Sequence, residues 1–358
     1  MLKTKKLVKG DKVAIVSLSS GILGESSAKH ELDLGIKRVK EMGLEPVLMP
    51  NSIKGAEYVK NHPEKRAEDL KTAILDKEIK AIICAIGGND THRTLPFLLG
   101  DKDFIKAVQD NPKIFLGYSD TTINHFMFYK LGLNTFYGIS FLTDFAELSK
   151  DMLPYTKNAI NYLFLNKDNF EIESSKVWYE ERKSFGVSEL HRPLIAHNEN
   201  YGYEVLKGSG KVCGKLLGGC LESIYSALDK TEEKSKYDIC KKYKLIPKKA
   251  EWQDKILFIE TCEEKPAPEL FRKEILALKK AGILGAVKGI IIGKPQDEKY
   301  YLEYKKIILE ETKRFNKPIF YNVNFGHANP RTILSIGVNC ELDCDNKKIT
   351  IIEKALID

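Results

Sequence analysis

The sequence predicts an α/β protein: an N-terminal three-layer domain on a parallel sheet, then a strand-rich C-terminal α/β domain. In the first third, continuous apolar stretches alternate with segments of helical spacing, which is typical of a parallel sheet covered on both faces. Four glycines within residues 210–219 then indicate bent strands and a tight turn. We therefore expect an N-terminal domain over residues 1–150, a linker with a substrate loop over 151–205, and a C-terminal domain over 206–358.

The elements of the first domain follow in regular order. The first helix carries Leu32, Ile36 and Val39 on one side, and Gly43 follows its end. Because the carboxyl ends of parallel strands share one edge of a sheet, the loops after these strands are the expected place for a site. The predicted strands are Lys12–Leu18, Glu45–Met49, Ile79–Ile86 and Ile114–Leu116, and the predicted helices are Ser27–Met42, Arg66–Ile74 and Thr121–Leu131.

The second half of the chain predicts more strands and more turns. Residues Leu148–Tyr203 are polar, aromatic and less regular, so we expect them to form a linker or a loop that covers the site. The following domain contains a helix with Pro268 at its start and Gly282 after its end. The predicted strands are Ile256–Ile259, Gly289–Ile292, Ile319–Val323, Thr332–Gly337 and Lys348–Ile352, and the predicted helices are Pro268–Ala281 and Tyr301–Phe315.

Composition argues against several classes of protein. The formal charge of +7 is a mild excess for 358 residues, and no arginine-rich or aromatic-interleaved strip predicts a nucleic acid polymer as partner. No apolar run has the length of a membrane span, and the stretch VAIVSL is too short for a signal-peptide core. The seven cysteines include no CxxC pair, which favours reduced thiols. We expect a cytoplasmic protein that binds no membrane.

The segment Pro112–Thr122, PKIFLGYSDTT, has the pattern of a strand, a tight turn and a helix. Gly117 ends the strand, Ser119 lies in the turn, and a helical pattern follows. An α/β enzyme exposes a nucleophile at the end of a strand in this way. A second interpretation is that Ser119 or Asp120 only caps the helix.

A serine nucleophile needs a base, and His327 has the most suitable position among the seven histidines. It lies in the segment NFGHANP, directly after an apolar strand. The alternative is a structural histidine bonded to the backbone. His92 falls in a candidate site loop and is a possible substrate contact, whereas His125 lies inside a helix and is expected to pack.

The acid that would orient this base is Glu260, which ends the apolar stretch LFIE. A carboxylate that follows three apolar residues costs desolvation unless it has a partner, which favours a functional role. Its neighbours Glu263 and Glu264 are expected to be solvated or to cap the next helix.

An oxyanion hole requires two backbone N–H groups near the nucleophile. The amide of Asp120 at the helix start is one candidate. The turn Gly87–Gly88–Asn89, after the neighbouring strand, is expected to provide the second, because glycine lets a substrate approach the backbone closely. A tight turn without further function is the alternative.

Several of these segments together resemble the serine LD-carboxypeptidase family over nearly the whole chain. They are KGDKVAIVSLSSG, AIGGNDTHRTLPFL, LGYSDTT, KVCGKLLGGCLESI, LFIET and NFGHANPRTILSIG. The resemblance implies that Ser119 is the nucleophile, His327 the general base and Glu260 its orienting acid, with Gly88 and Asp120 as oxyanion donors. It also implies a site between two domains, a homodimer, and neither a metal nor an organic cofactor.

Within this family, the GGND turn and the segment IETCEEKPAPE resemble the microcin C immunity peptidases more than the murein enzymes. The resemblance extends to an aromatic substrate loop in SSKVWYEERKSF, where Trp178 or Phe185 is expected to stack on a nucleobase; an aromatic plug between domains is the alternative. Gly87 and Asn89 are further expected substrate contacts. Cys220 departs from the family pattern, which more often has asparagine there.

The predicted function is therefore a serine carboxypeptidase-type hydrolase that cleaves an amide next to a carboxylate or a carboxylate mimic. Its expected substrate is a small peptide or a peptidyl- or aminoacyl-nucleotide. A murein tetrapeptide LD-carboxypeptidase is the first alternative, and a non-catalytic, two-lobed ligand-binding protein is the second. A general α/β-hydrolase esterase would need GxSxG, where this chain has Thr121 as the last residue.

Overall fold

Two mixed sheets, one built mainly from each half of the chain, carry the fold. The computed structural model describes residues 1–358. The first 137 residues form strands β1 (Thr4–Lys5), β2 (Lys12–Val16), β3 (Glu45–Leu48), β4 (Ile79–Cys84), β5 (Ile114–Gly117) and β6 (Thr135–Tyr137), and helices α1 (Lys29–Glu41), α2 (Ala56–Asn61), α3 (Pro63–Leu75), α4 (Leu95–Leu99), α5 (Lys102–Asp110) and α6 (Thr122–Lys130).

The rest of the chain is richer in strands. Its helices are α7 (Pro154–Asn161), α8 (Leu221–Leu228), α9 (Lys234–Lys242), α10 (Pro268–Lys280), α11 (Ile283–Ala286) and α12 (Tyr301–Glu311). Its strands are β7 (Phe170–Ile172), β8 (Val177–Tyr179), β9 (Ala196–Asn198), β10 (Glu204–Lys207), β11 (Lys211–Cys220), β12 (Lys255–Glu260), β13 (Gly289–Gly293), β14 (Ile319–Val323), β15 (Leu334–Ile336), β16 (Asn339–Asp343), β17 (Lys348–Ile351) and β18 (Leu356–Ile357).

The first sheet has the strand order β15-β6-β5-β4-β2-β3, and β2 to β6 run parallel. Every residue of β4 except one is buried, as expected for a strand covered on both faces. The parallel arrangement puts the loops after β4 and β5 side by side at one edge.

The second sheet has the order β10-β14-β13-β12-β11-β16-β17-β7. Its four central strands, β11 to β14, run parallel, and antiparallel strands extend both edges. The central parallel strands again bring two chain segments together at one edge, the ends of β12 and β14. The α/β fold class predicted from the sequence is confirmed, with a parallel N-terminal sheet and a strand-rich C-terminal one.

One strand crosses between the two halves. The prediction of a strand over Thr332–Gly337 is confirmed in part, and this strand joins the first sheet rather than the second. Residues Leu334–Ile336 pair antiparallel with β6 and complete the first sheet. The physical reason is that β6 would otherwise be an exposed edge, and the segment after β14 is long enough to cover it.

The segment 151–205 is more ordered than a linker. It contains α7, the strand β7, which joins the edge of the second sheet, and the antiparallel pair β8–β9. The boundaries at residues 150 and 205 stay a prediction, because buried apolar residues of both sheets form one continuous core. No helix is long and apolar enough to cross a membrane.

Candidate active site

A cavity of about 360 Å³ opens where loops from both halves of the chain meet. The first half contributes the turn after β4 and the turn after β5. The second half contributes the segments after β12 and β14, and the loop between β8 and β9 covers one side. Among the residues that line it are Gly87, Gly88, Ser119, Phe185, Glu263 and His327.

Ser119 lies directly after β5, on a single 3₁₀ turn that leads into α6. Its φ of 63° places a non-glycine residue in the left-handed region, which is a strained conformation common at functional turns. The hydroxyl of Thr121 donates a 2.8 Å hydrogen bond to the carbonyl of Tyr118 and holds the turn closed. A Cβ at Gly87 would lie 2.8 Å from the Ser119 Oγ, so only glycine allows this approach.

His327 and Glu260 form a close pair at the far side of the cavity. The His327 Nδ1 lies 2.7 Å from the Glu260 Oε2, and the backbone N–H of His327 donates to the same oxygen at 3.2 Å. Gly326 has a φ of 85°, and a Cβ there would collide with the Glu260 carboxyl group. The segment before His327 therefore wraps around the carboxylate and orients the imidazole.

Tyr137 connects this pair to the predicted nucleophile turn, Ser119–Thr121. Its hydroxyl donates a 2.6 Å hydrogen bond to the Glu260 Oε1 and accepts one from the Ser119 backbone N–H at 3.2 Å. Burial and the nearby Glu260 raise the pKa of Tyr137 well above its usual value, so the phenol keeps its proton. Sequence reasoning missed Tyr137, because a tyrosine at the end of a buried strand is indistinguishable from a packing residue.

The second ring nitrogen of His327 is also occupied. Its Nε2 lies 3.0 Å from the Glu263 Oε2. Burial alone would lower the pKa of His327, but Glu260 and Glu263 outweigh it and raise that pKa well above the usual value. The hydrogen bond to His327 in turn lowers the pKa of Glu263 to about 2. The prediction that Glu263 is only solvated or caps a helix misses this contact.

The Asp120 side chain ties three segments to the nucleophile turn. It accepts hydrogen bonds from the Ser19 hydroxyl at 2.7 Å and from the Thr91 backbone N–H at 2.8 Å. Its other oxygen lies 3.0 Å from the Nζ of Lys236 on α9, and both side chains are buried. Burial disfavours the ammonium, but Asp120 outweighs it and raises the pKa of Lys236. This ion pair joins the second half of the chain to the nucleophile turn.

Only two of the three residues in the glycine turn after β4 face the cavity. Gly87 and Gly88 line the cavity, and Asn89 is exposed outside it. A Cβ on Gly87 would lie 3.5 Å from the amide nitrogen of Asp120, so the two predicted oxyanion segments are adjacent. His92, a possible substrate contact in the sequence, is buried against Ser235 and Glu233 of the second half instead.

The two aromatic residues of the substrate loop have different environments. Phe185 lines the cavity and is 52% exposed. Trp178 is 9% exposed; the His197 ring stacks on it at 4.3 Å, and the Lys294 Nζ lies 5.2 Å from its ring centre. The geometry favours Phe185 as the stacking surface and the packing alternative for Trp178, because the Trp178 ring is already covered.

Arg331 is a buried cation of the cavity wall that sequence reasoning also missed. Its guanidinium donates to the carbonyl of His327 at 3.1 Å and to the Asn329 side chain at 2.7 Å, and it contacts the hydroxyl of Tyr118. The Tyr118 ring in turn packs edge-on against the His327 ring at 5.0 Å. The sequence signal that could have identified Arg331 is its position four residues after His327, in a segment too irregular to be a strand.

Cys220 lies at the end of β11, beside Glu260 in the neighbouring strand. Its thiol is buried and lies 3.1 Å from the Glu222 Oε2. Burial, with Glu222 and Glu260 nearby, raises the pKa of Cys220 well above its usual value, so the thiol stays neutral. The side chain at the position where the family more often has asparagine is therefore a weak donor with no charge.

Comparison with known families agrees with the two halves of the structure. Residues 13–138 match the LD-carboxypeptidase N-terminal domain, and residues 213–342 match the LD-carboxypeptidase C-terminal domain. The chain belongs to the LD-carboxypeptidase family. The family resemblance predicted from the sequence is thereby confirmed.

Two curated members of this family match almost the whole chain. The microcin C7 self-immunity protein MccF of Escherichia coli is 26% identical over 98% of this chain and 95% of its own length. A probable murein peptide carboxypeptidase of Bacillus subtilis is also 26% identical, over 98% and 94%. Identity to these two proteins therefore does not separate the two branches.

Solved structures of LD-carboxypeptidase family members have the same fold. An MccF-like protein from Streptococcus pneumoniae, in complex with AMP, is 46% identical over 95% of this chain and 98% of its own, with a TM-score of 0.91. Microcin C7 self-immunity protein MccF in complex with aspartyl sulfamoyl adenosine is 25% identical over the full length of both chains, with a TM-score of 0.85.

Proposed function

We propose that this protein is a serine hydrolase of the microcin-immunity kind, which cleaves the amide between an aminoacyl or peptidyl group and a nucleotide-like leaving group. The proposed catalytic residues are Ser119, His327 and Glu260. Membership of the LD-carboxypeptidase family supports a peptidase. Ser119 and His327 line one cavity and Glu260 binds His327 from behind, which supports the mechanism.

The observation that carries the proposal is the convergence of these side chains from distant parts of the chain. Ser119 is exposed to the cavity on a strained turn, and His327 faces the same cavity. Glu260 binds the Nδ1 of His327, so the Nε2 is the atom that can accept a proton once Glu263 no longer contacts it. A two-lobed binding protein has no need for this combination.

In the proposed acylation step, the Ser119 Oγ attacks the substrate carbonyl carbon while its proton passes to the His327 Nε2. The new C–O bond creates an oxyanion, which the N–H groups of Gly88 and Asp120 are proposed to stabilise. The scissile C–N bond then breaks, and the leaving nitrogen takes the proton from His327. Glu260 keeps the imidazole oriented and stabilises its positive charge throughout.

Deacylation repeats this sequence with water. His327 takes a proton from a water molecule as its oxygen attacks the acyl carbon, and the Ser119 Oγ leaves with that proton. The products are a free carboxylic acid and the regenerated enzyme.

The environment of Phe185 favours the microcin-immunity branch over the murein branch. Its exposed ring at the cavity rim provides a flat apolar surface, and stacking of a base on an aromatic ring contributes about 1–3 kcal/mol. Family members solved with AMP and with aspartyl sulfamoyl adenosine make a nucleotide-like leaving group a reasonable ligand class.

The test measures product release by mass spectrometry, with wild type and Ser119→Ala in parallel. One kind of substrate is an aminoacyl-sulfamoyl adenosine, used as a panel with different acyl groups. The other is a murein tetrapeptide that ends in D-alanine. We expect wild type to cleave the first and Ser119→Ala to cleave neither. Phe185→Ala should raise KM for the nucleotide substrates about tenfold or more, with kcat less affected.

A murein carboxypeptidase is the second candidate. It is supported by the probable murein peptide carboxypeptidase of Bacillus subtilis, which is as identical to this chain as MccF of Escherichia coli is. Cleavage of the murein tetrapeptide alone would move the protein to that branch. Binding of either ligand without cleavage would favour the two-lobed binding protein. The homodimer and the cytoplasmic location implied by the family resemblance stay predictions.

A further inference from the structure

The Glu263 carboxylate occupies a position that the proposed reaction needs to be free. The imidazole Nε2 has one in-plane position for a hydrogen-bond partner, and here that partner is the Glu263 Oε2 at 3.0 Å. The Ser119 hydroxyl must use the same position to transfer its proton. Contact of Glu263 with the Nε2 and proton transfer from Ser119 therefore exclude each other.

Glu263 is nevertheless exposed, and His327 is its only charged partner. Its side chain is 57% exposed, and it lies in a turn that directly follows the end of β12. Apart from His327, no cation lies within 4 Å of its carboxylate, since no other ion pair involves this residue. A stronger electrostatic partner within the cavity could draw it away from His327.

The other charges of the cavity wall identify that partner. The Arg182 guanidinium lies 2.5 Å from Glu147, and Arg331 lies 3.7 Å from Asp144, so both cations are already paired inside the protein. Glu31 also lines the cavity and has no lysine or arginine within 4 Å; burial and Glu147 raise its pKa to about 7. Four glutamates line the cavity, whereas its only cations are these two paired arginines and His327, so no unpaired cation is available for an anionic acyl group and a cationic one is favoured.

We propose that Glu263 is a specificity-determining residue that binds an ammonium group on the acyl part of the substrate, and that this binding releases the Nε2 of His327. The inference rests on the proposed function, because it assigns the acyl group of the same reaction. Its chemical class is an aminoacyl or peptidyl group with a primary ammonium close to the scissile carbonyl. The ammonium is either the α-amino group or the end of a lysine-like side chain.

The two sources of the ammonium are separated by four ligands. Lysyl- and norleucyl-sulfamoyl adenosine differ only in the side-chain ammonium, and each is compared with its Nα-acetyl derivative, which lacks the α-ammonium. A hydrogen bond between charged groups contributes about 10- to 100-fold in affinity. We expect at least one of the two ammonium groups to improve binding about tenfold or more.

The decisive variant is Glu263→Gln, with Glu264→Gln as the matched control. Glu264 is the next residue in the same exposed turn and forms no ion pair. Binding is measured by calorimetry in the Ser119→Ala background, so the result does not depend on cleavage. We expect Glu263→Gln to reduce the ammonium preference to less than about twofold, and Glu264→Gln to leave it unchanged.

The inference is overturned if wild type shows no ammonium preference, or if Glu263→Gln retains it. These outcomes are separable from failure of the proposed function. A preference abolished by Glu263→Gln without hydrolysis of any ligand by the Ser119-containing enzyme would support the inference and reject the hydrolase. Hydrolysis without an ammonium preference would support the proposed hydrolase and reject the inference.

Discussion

The nucleophile turn and the acid–base pair are built in different ways. Ser119 lies in one continuous strand, turn and helix, and the bond that closes its turn joins Thr121 to Tyr118, three residues apart. His327 and Glu260 are 67 residues apart in the chain and meet only because β12 and β14 end at the same edge of one sheet. The proposed nucleophile is thus shaped locally, whereas the proposed base is oriented by long-range contacts.

The two regions are not independent, since Tyr137 connects them directly and a second buried contact attaches the turn to the second half of the chain. The Tyr137 hydroxyl bridges the Ser119 backbone and Glu260, and the Asp120–Lys236 ion pair attaches the nucleophile turn to α9. The difference teaches that local geometry can prepare a nucleophile, but only packing between the two halves can bring a base to it. The predictions below separate these contributions.

The largest effect on kcat is expected for a substitution in the locally built nucleophile turn. Ser119→Ala removes the attacking oxygen, so kcat should fall by about 10³-fold or more. Because the left-handed turn is retained, the thermal unfolding midpoint should stay within a few degrees of wild type. Product release and circular dichroism melting measure the two quantities, and a decrease in kcat of less than tenfold would reject Ser119 as nucleophile.

At the long-range side, Glu260→Gln should lower kcat by about 10²- to 10⁴-fold, because the amide cannot stabilise the imidazolium or fix its tautomer. KM should change much less, since Glu260 is covered by His327 and Tyr137 rather than exposed to substrate. Steady-state kinetics distinguishes the two parameters. An unchanged kcat would remove Glu260 from the mechanism.

The attachment of the nucleophile turn to the second half of the chain is tested by Lys236→Met on α9. It leaves the Asp120 carboxylate buried without its cation, which should destabilise the protein by about 3 kcal/mol and lower kcat through displacement of the turn. Urea unfolding measures the first effect. The control is Lys234→Met on the same helix, whose exposed pair with Asp238 should contribute less than about 0.5 kcal/mol. Equal destabilisation by both variants would contradict this role for Lys236.

The smallest expected effect is a displacement of the pH profile by Glu263→Gln. The groups that face His327 are Glu260, Glu263, Tyr118 and Arg331, and the two carboxylates hold its pKa high. His327 acts as a base only when neutral, so kcat/KM should rise as pH passes that pKa. Removal of one carboxylate should move this rise to lower pH. A rise at the same pH, or a higher one, would show that Glu263 does not influence the base.

Much of the fold follows from local sequence pattern. The strands Glu45–Leu48 and Ile319–Val323 and the helix Thr122–Lys130 lie within a residue or so of the predicted bounds. These elements are predictable because buried parallel strands are continuously apolar and helices end at glycine or before proline. The pairing of Leu334–Ile336 with the first sheet was not predicted, because strand pairing is not visible in the strand's own residues.

In the candidate site, too, some features follow from local sequence pattern and others from long-range contacts. By itself, the sequence determined which residues stand at strand ends, since the apolar stretch that buries a strand also marks where its loop begins; this singled out Ser119, Glu260 and His327. Only the tertiary structure decided what these residues touch. Tyr137, Lys236 and Glu263 act through contacts with residues between 64 and 123 positions away in the chain, and such contacts depend on how the two sheets pack rather than on any local pattern.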